Sequence, residues 1–399
     1  MYSWYFMEHS SQSYIGCGSP MACAPAGNLP TGVALTEDRS RSEASGRAST
    51  RTKPVEQRLQ FDPVALERYL AAHIEGFRGP LQVEQFEGEQ SNPTYRLTTS
   101  GGSCFVLRRK PPGKLLPSAH AVDREFAITR ALHATGFPVA RPRLLCDDER
   151  VIGTPFFVTD YIESRVFWEQ SLPELSKEVR ASIWREMCRL IAALHKTDYR
   201  AIGLETFGKP GNYCERQIGR WSKQYRASET ERIQAMDNLI EWLRRNIAPQ
   251  TSGGIVHCDF WLDNIIFHPT KPEILAVLDW ELSTLGDPLA DFAYHCLSWH
   301  MPPGHFRGIA GLDIAALGLP TEQEHVARYC QLTGRGGIDS AHWDFAYNLF
   351  RIAAILQGIM KRVIEGTAAS AQALDAGRRA KPMAEIGWKY VEDITRRRS

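Results

Sequence analysis

Between Gly254 and Asp291 the chain reads GIVHCDFWLDNIIFHPTKPEILAVLDWELSTLGDPLAD, and Asp259, Asn264 and Asp279 are its candidate reactive groups. Two short β-like runs, Ile265 to His268 and Ile274 to Leu278, punctuate the stretch. His257, Asp259 and Asn264 precede the first run, and Asp279 follows the second at once. Polar groups therefore sit at strand ends, where an α/β scaffold places chemistry. Two carboxylates and an amide oxygen are the set that phosphoryl transfer needs. One carboxylate orients an incoming hydroxyl and receives its proton; the other joins the amide in holding magnesium against nucleotide phosphates. Asp and Asn without an added His suit magnesium, which prefers hard oxygen ligands and retains water.

His257-x-Asp259-x-x-x-x-Asn264 followed by Asp279 resembles the catalytic and metal-binding segment of the aminoglycoside phosphotransferase-like (choline kinase-like) small-molecule kinases. The longer stretches HCDFWLDNIIF and AVLDWELSTLGDPLADFAY resemble most the branch whose members stand alone or are fused to acyl-CoA dehydrogenases. That branch is associated with phosphorylation of hydroxyacyl-CoA or hydroxy-acid substrates. The resemblance implies an α+β, two-lobed protein-kinase-like fold with a small β-rich N-lobe and a larger, mainly helical C-lobe. It implies ATP and Mg2+ as cofactors, Asp259 as the catalytic carboxylate, Asn264 and Asp279 as metal ligands, and His257 as a brace of the loop. Asp287 precedes Pro288 as a helix cap would, and is assigned to bracing the catalytic loop. A lone HxDxxxxN carries little weight; the second Asp and GDPLADFAY following in order carry much more.

The elements that must position these groups begin near Phe61. Asp62-Pro63 reads as a cap and first turn, with Val64, Leu66, Tyr69, Leu70 and Ile74 as the apolar face of a helix. Strand-like pieces follow at Leu81 to Phe86, Thr94 to Thr98 and Cys104 to Leu107. Gly88 to Asn92 lies where the related kinases place the loop over the nucleotide phosphates, with Ser91 and Asn92 as donors to phosphate oxygens. By itself this stretch reads as an ordinary hairpin loop, with no G-x-G-x-x-G. Arg108 matches the family's basic residue on the phosphates, and Glu125, in HAVDREFAITRALHATG, would orient it. Arg in place of the more usual Lys offers a planar fork; beside Arg109 and Lys110, the plain reading is a solvated strand end. Phe156 to Ile162 resembles the crossing between lobes, where Thr159, Tyr161 and Ile162 would meet the adenine edge.

In the larger part, Leu175 to His195, Ile233 to Ile247, Trp343 to Val363 and Met383 to Ile394 carry helical periodicity. His195 reads as a helix-end residue with carbonyl partners. Tyr213 and Arg216, in the polar-aromatic run Gly208 to Trp221, either line an acceptor site or pack between helices. Arg351 would bind a carboxylate or CoA phosphate, or form a surface salt bridge. Trp280 reads as packing. His295, His300 and His305 lack an HExxH pattern, which ranks zinc low.

The chain of 399 residues balances 47 basic against 46 acidic side chains, so no electrostatic footprint points to nucleic acid. Nine cysteines without a CxxC pair suit a reducing compartment, and no apolar run reaches membrane-spanning length, giving a cytoplasmic expectation. Ser10 to Thr52, rich in Ser, Gly, Ala, Pro and Thr, reads as a disordered tail or an early start; its acidic residues weigh against a transit peptide. The expected organisation is a tail over 1–57, an N-lobe over 58–162 and a catalytic and acceptor-binding C-lobe over 163–399. The expected reaction is ATP- and magnesium-dependent phosphorylation of a small-molecule hydroxyl, on a hydroxy acid or its CoA thioester. The branch resemblance implies metabolic coupling to an acyl-CoA dehydrogenase-like enzyme. The alternatives are an aminoglycoside, choline or amino-sugar kinase; a protein kinase, against which the lack of an activation-loop signature after Asp279 weighs; and a nucleotide-binding regulatory protein without turnover.

Overall fold

The computed structural model describes residues 51–87, 92–113, 121–209, 211–249, 253–303, 307–366 and 373–398. The smaller lobe is built on a six-stranded sheet in the order β1-β2-β3-β4-β6-β5. Its strands are Thr52–Lys53 (β1), Leu81–Phe86 (β2), Thr94–Thr99 (β3), Cys104–Arg109 (β4), Pro142–Cys146 (β5) and Phe156–Asp160 (β6). All pairings are antiparallel. Side chains alternate across the pleat, so Tyr95, Leu97, Phe105 and Leu107 share a buried cluster with Leu66 and Leu70 of α1 (Pro63–His73). Asp62 starts α1 by accepting the amides of Val64 at 2.8 Å and Ala65 at 3.2 Å, and Pro63 occupies the turn where a missing N–H costs nothing. Order begins before Phe61, contrary to the sequence reading, because β1 pairs Thr52 with Phe86 and Lys53 with Gln85. Residues 1–50 of the expected tail lie outside the described residues.

Helix α2 (Val122–Ala134) is gripped from both sides. Val122 and Phe126 pack on Phe157 of the sheet, while Ile128 and Leu132 enter the core of the larger lobe. A residue on this helix is thereby placed relative to both lobes.

The larger lobe is mainly helical. It contains α3 (Lys177–Lys196), α4 (Tyr213–Ala227), α5 (Gln234–Arg245), α6 (Pro288–Cys296), α7 (Ile314–Leu317), α8 (Glu322–Thr333), α9 (Ala341–Ile364), α10 (Ala373–Arg378) and α11 (Ala380–Arg398). Every residue of α9 from Trp343 to Ile359 is buried, because α4, α5, α6, α10 and α11 pack around it. Polar residues of α9 therefore donate to neighbouring elements: Asn348 to the Ala290 carbonyl at 2.8 Å and Gln357 to Thr230 Oγ1 at 2.6 Å.

Two short antiparallel pairs organise the stretch from 254 to 291: β7 (Gly254–Val256) with β10 (Thr284–Gly286), and β8 (Ile265–Phe267) with β9 (Ile274–Val277). Gly286 permits their close packing on α4. A Cβ there would lie 2.7 Å from Val256 Cγ2 and 2.8 Å from Tyr213 Cε2.

Candidate functional site

The loop between β7 and β8 carries Asp259, and its backbone is held from several directions. Asp291, on the first turn of α6, accepts the His257 amide at 2.8 Å through Oδ2 and the Cys258 amide at 2.7 Å through Oδ1. Arg351 of α9 donates to the Cys258 carbonyl at 2.6 Å, and Tyr213 Oη lies 3.5 Å from Cys258 Sγ. These contacts hold Cys258 at φ 68°, a left-handed conformation unfavourable for a side-chain-bearing residue. Burial and the Asp291 charge push the Cys258 thiol up to about 12, so it is a packing group at neutral pH. His257 donates Nε2–H to the Leu278 carbonyl at 2.8 Å and accepts the Asp259 amide on Nδ1 at 3.2 Å, which fixes one tautomer and ties the loop to the residue before Asp279.

The Asp259 carboxylate is oriented through both oxygens. Tyr294 donates its hydroxyl to Oδ1 at 3.0 Å, and Asn264 donates Nδ2 to Oδ2 and to the Asp259 carbonyl, each at 2.8 Å. Arg307 Nη1 stands 3.8 Å from Oδ1, and its Nη2 pairs with Asp263. With Nδ2 spent on Asp259, the Asn264 amide has Oδ1 to offer a cation. Asp279, at φ 60° two residues after β9, is the second oxygen donor on the same cleft. Hard oxygens from one amide and one carboxylate fit magnesium.

On the opposite wall, Arg108 at the end of β4 reaches across the lobes. It pairs with Glu125 at 2.9 Å, Asp279 at 3.0 Å and Glu281 at 3.5 Å. Oxygens of these three carboxylates lie within 4.8 Å of one another. Between the lobes is a cavity of about 230 Å³, with Val106, Phe157, Ile162, Val166 and Ile266 among its apolar walls and Arg108, Glu125, Asn264 and Asp279 among its polar ones. Thr159, Tyr161 and Ile162 line it as well, but the Asp160 and Tyr161 amides already donate to the Arg141 and Cys104 carbonyls. Asn92 is buried beside the sheet; Ser91, with the rest of Gly88 to Ser91, lies outside the described residues.

Several sequence expectations change on this geometry. Arg109 is no solvated strand end: it is 2% exposed, donating to the Ile152 and Leu59 carbonyls at 3.0 Å each, with its guanidinium over Phe61 and Tyr95. Asp287 caps α6 by accepting the Leu289 amide at 2.9 Å, while the loop amides go to Asp291 instead. His195 bonds Asp291 Oδ2 at 3.1 Å and Tyr329 Oη at 2.7 Å, side-chain partners in place of the helix-end carbonyls expected. Arg216 spends its guanidinium on the carbonyls of Lys209 and Gly211. Arg351 is buried under the loop, stacked at 4.8 Å from the Tyr294 ring centre, and makes no salt bridge among the described residues. Trp280 packs as the sequence reading expects, donating Nε1–H to the Val277 carbonyl at 3.0 Å. His295 bonds His325 at 3.0 Å and His300 bonds Glu322 at 2.8 Å; His305 lies outside the described residues.

Asp291, Tyr294, Asp263, Glu281 and Arg307 were missed as site residues. Asp291 and Tyr294 stood inside a recognised stretch, but their partners are more than thirty residues away in sequence. Burial pushes the Asp291 carboxyl up; the hydrogen bonds from His195 and from the His257 amide oppose this, and the carboxyl is held below the usual carboxylate range.

The model of the phosphotransferase enzyme family matches residues 82–324. Mouse acyl-CoA dehydrogenase family member 10 is 44% identical over 343 residues, covering 85% of this chain and 32% of that protein. Mouse acyl-CoA dehydrogenase family member 11 is 42% identical over 338 residues, covering 82% of this chain and 43% of that protein. The chain thus spans less than half the length of these curated relatives. Among solved structures, a Ralstonia eutropha protein assigned as an aminoglycoside phosphotransferase is 55% identical, with a TM-score of 0.76 over 84% of this chain and 99% of that one.

Proposed function

This chain belongs to the phosphotransferase enzyme family, and from that premise we propose that it transfers the γ-phosphoryl group of ATP to the hydroxyl of a small hydroxy acid, free or as its CoA thioester. The reading is carried by Asn264, Asp279 and Arg108 lining one cleft between the lobes, with Asp259 hydrogen-bonded to Asn264 beside them. Asp259 orients the acceptor hydroxyl and takes its proton as the oxygen bonds to the γ-phosphorus; the bond to the β-phosphate oxygen breaks and ADP leaves. Arg108 faces the phosphates, with Glu125 fixing its orientation. Magnesium, held by Asn264 and Asp279, would offset the charge of the phosphate oxygens. Ser91 and Asn92 belong to the phosphate-facing loop in this reading, and Thr159, Tyr161 and Ile162 to the adenine side. Tyr213 and Arg351 act on the acceptor indirectly, through Cys258.

The acyl acceptor is favoured by the similarity to acyl-CoA dehydrogenase family proteins, and a dehydrogenase-like enzyme is the metabolic partner it suggests. Among the described residues no helix is long and apolar enough to cross a membrane. The test is ATP-to-ADP turnover with magnesium across matched hydroxy acids, their CoA thioesters, choline and aminoglycosides, with mass spectrometry of the acceptor. A phosphorylated hydroxy acid or hydroxyacyl-CoA is expected; exclusive phosphorylation of choline or an aminoglycoside would overturn the acceptor assignment.

A further inference from the structure

We propose that Arg307 and Asp263 form an acceptor subsite beside Asp259 that selects hydroxylated acceptors bearing an acyl oxygen, as carboxylate or thioester carbonyl, and disfavours cationic ones. The inference rests on the phosphotransfer reading above, with Asp259 as the carboxylate that meets the hydroxyl.

Orientation of Asp259 does not require Arg307. Tyr294 and Asn264 already hydrogen-bond its two oxygens, whereas Arg307 Nη1 stands 3.8 Å from Oδ1, beyond hydrogen-bond length. Arg307 is nevertheless retained at some cost. Its side chain is only 10% exposed, its backbone is left-handed at φ 50°, and its guanidinium lies 5.3 Å from the Trp261 ring centre.

Asp263 holds the other side of the guanidinium with a side chain 6% exposed, and it also lines the cleft. Among the described residues its Oδ1 is buried without a hydrogen-bond partner. A buried acceptor oxygen on a cleft-lining residue, without a partner among the described residues, points to a ligand that brings a donor, such as a hydroxyl or amide N–H.

The chemistry of the pair is then directional. A guanidinium presents a planar fork suited to carboxylate or carbonyl oxygen, and it repels an ammonium brought to the same carboxylate. An acceptor whose hydroxyl meets Asp259 and whose acyl oxygen lies a few bonds away can reach Arg307 with its oxygen.

The experiment uses the full chain with magnesium and ATP on a charge series of equal length: a hydroxyalkanoate, its CoA thioester, the corresponding diol and the corresponding amino alcohol. Wild type, Arg307→Met and Arg307→Lys are compared by kcat/KM, with a thermal shift on MgATP as the folding control. The wild type is expected to prefer the acid or the thioester over the amino alcohol. Arg307→Met is expected to lose roughly 10–100-fold on the favoured acceptor, the range for a charge-assisted hydrogen bond, and far less on the diol. Arg307→Lys should recover part of the loss, and it supplies the reading if the Met variant does not fold. Losses on both acid and thioester identify the shared acyl oxygen as the contact; a loss on the acid alone identifies the carboxylate.

Arg307 variants within twofold of wild type on acid and thioester would sink the subsite while leaving the phosphotransfer reading intact. An equal loss on acid, thioester and diol would sink it too, by marking Arg307 as a support of Asp259. Wild-type turnover of the amino alcohol alone would overturn the subsite and the acyl acceptor while leaving phosphotransfer intact; turnover of none of the series would overturn both readings.

Discussion

The two sides of the site use charge differently. On the cleft wall, Arg108 pairs with carboxylates from α2 and from the segment after β9, and its side chain is still 14% exposed. Beneath the catalytic loop, charged side chains grip backbone: Asp291 takes two amides and Arg351 a carbonyl. Arg351 has no carboxylate within ion-pair distance among the described residues; its charge rests on that carbonyl and on the faces of Tyr294 and Trp221. Ion pairs at a cleft edge can be exchanged for ligand charges. Buried charges bonded to backbone can only hold shape. The wall therefore governs what binds, and the floor governs where Asp259 stands.

The largest expected effect lies where the two meet. Asp259→Asn keeps the side-chain volume and removes the proton acceptor, and kcat is expected to fall roughly 10²–10⁴-fold. Calorimetric titration should find ATP affinity retained. A variant with wild-type kcat would remove Asp259 from the chemistry.

Next come paired substitutions that separate wall from floor. Asp291→Ala strips the acceptor from two loop amides and from His195, in a region where both side chains are at most 2% exposed. The loss should cost about 3–5 kcal/mol in denaturant unfolding. Arg108→Met should weaken ATP binding about 10-fold or more while costing less stability than Asp291→Ala. Should Arg108→Met prove the more destabilising of the two, the division between wall and floor would collapse.

A smaller effect is set by pH. Asp344 of α9 is 2% exposed; burial, reinforced by the Asp287 charge and opposed by the Ser340 hydrogen bond, pushes its carboxyl from 3.8 up to about 8. Between those values the folded protein keeps a proton that the unfolded chain has released. The associated stability is present in full below about pH 4 and is lost as pH rises through about 8. Asp344→Asn should flatten this slope. From about pH 5 to about pH 8.5 the wild-type Tm is expected to fall further than that of the variant, by about 2–4 °C for each kcal/mol involved. Parallel Tm curves would show that Asp344 does not carry the proton.

What could be read in the sequence follows the range of each interaction. Asp259, Asn264 and Asp279 sit on one local pattern of short strands, so their convergence was legible. The small antiparallel lobe and the long helices were legible from alternation and periodicity. Asp287 shows its cap locally, through the Pro288 that follows it, whereas the hydrogen bonds of Asp291 cross from α6 to the β7–β8 loop and leave no local trace. Arg351 did carry a signal. A charge amid Phe350, Ile352, Ala353, Ala354 and Ile355, on a helix apolar on all faces, must be buried and must be bonded. Arg307 carried none, since its position depends on how the segment after α6 folds back on Asp263.

The smallest effect tests whether strain belongs to the floor's function. Cys258 at φ 68° should be relieved by Gly and left strained by Ala, and both changes delete the contact with Tyr213. Gly recovers about 1–2 kcal/mol of left-handed strain and returns about 0.5–1 kcal/mol in chain entropy. Cys258→Gly should therefore be the more stable variant in denaturant unfolding, by roughly 0.5–1 kcal/mol. Its kcat should nonetheless be the lower, because a backbone free to leave the left-handed region lets Asp259 wander from the hydroxyl. A Gly variant both more stable and as active as Ala would mean that Asp291 and Arg351 fix the loop by themselves, and that the strain at Cys258 is incidental to it.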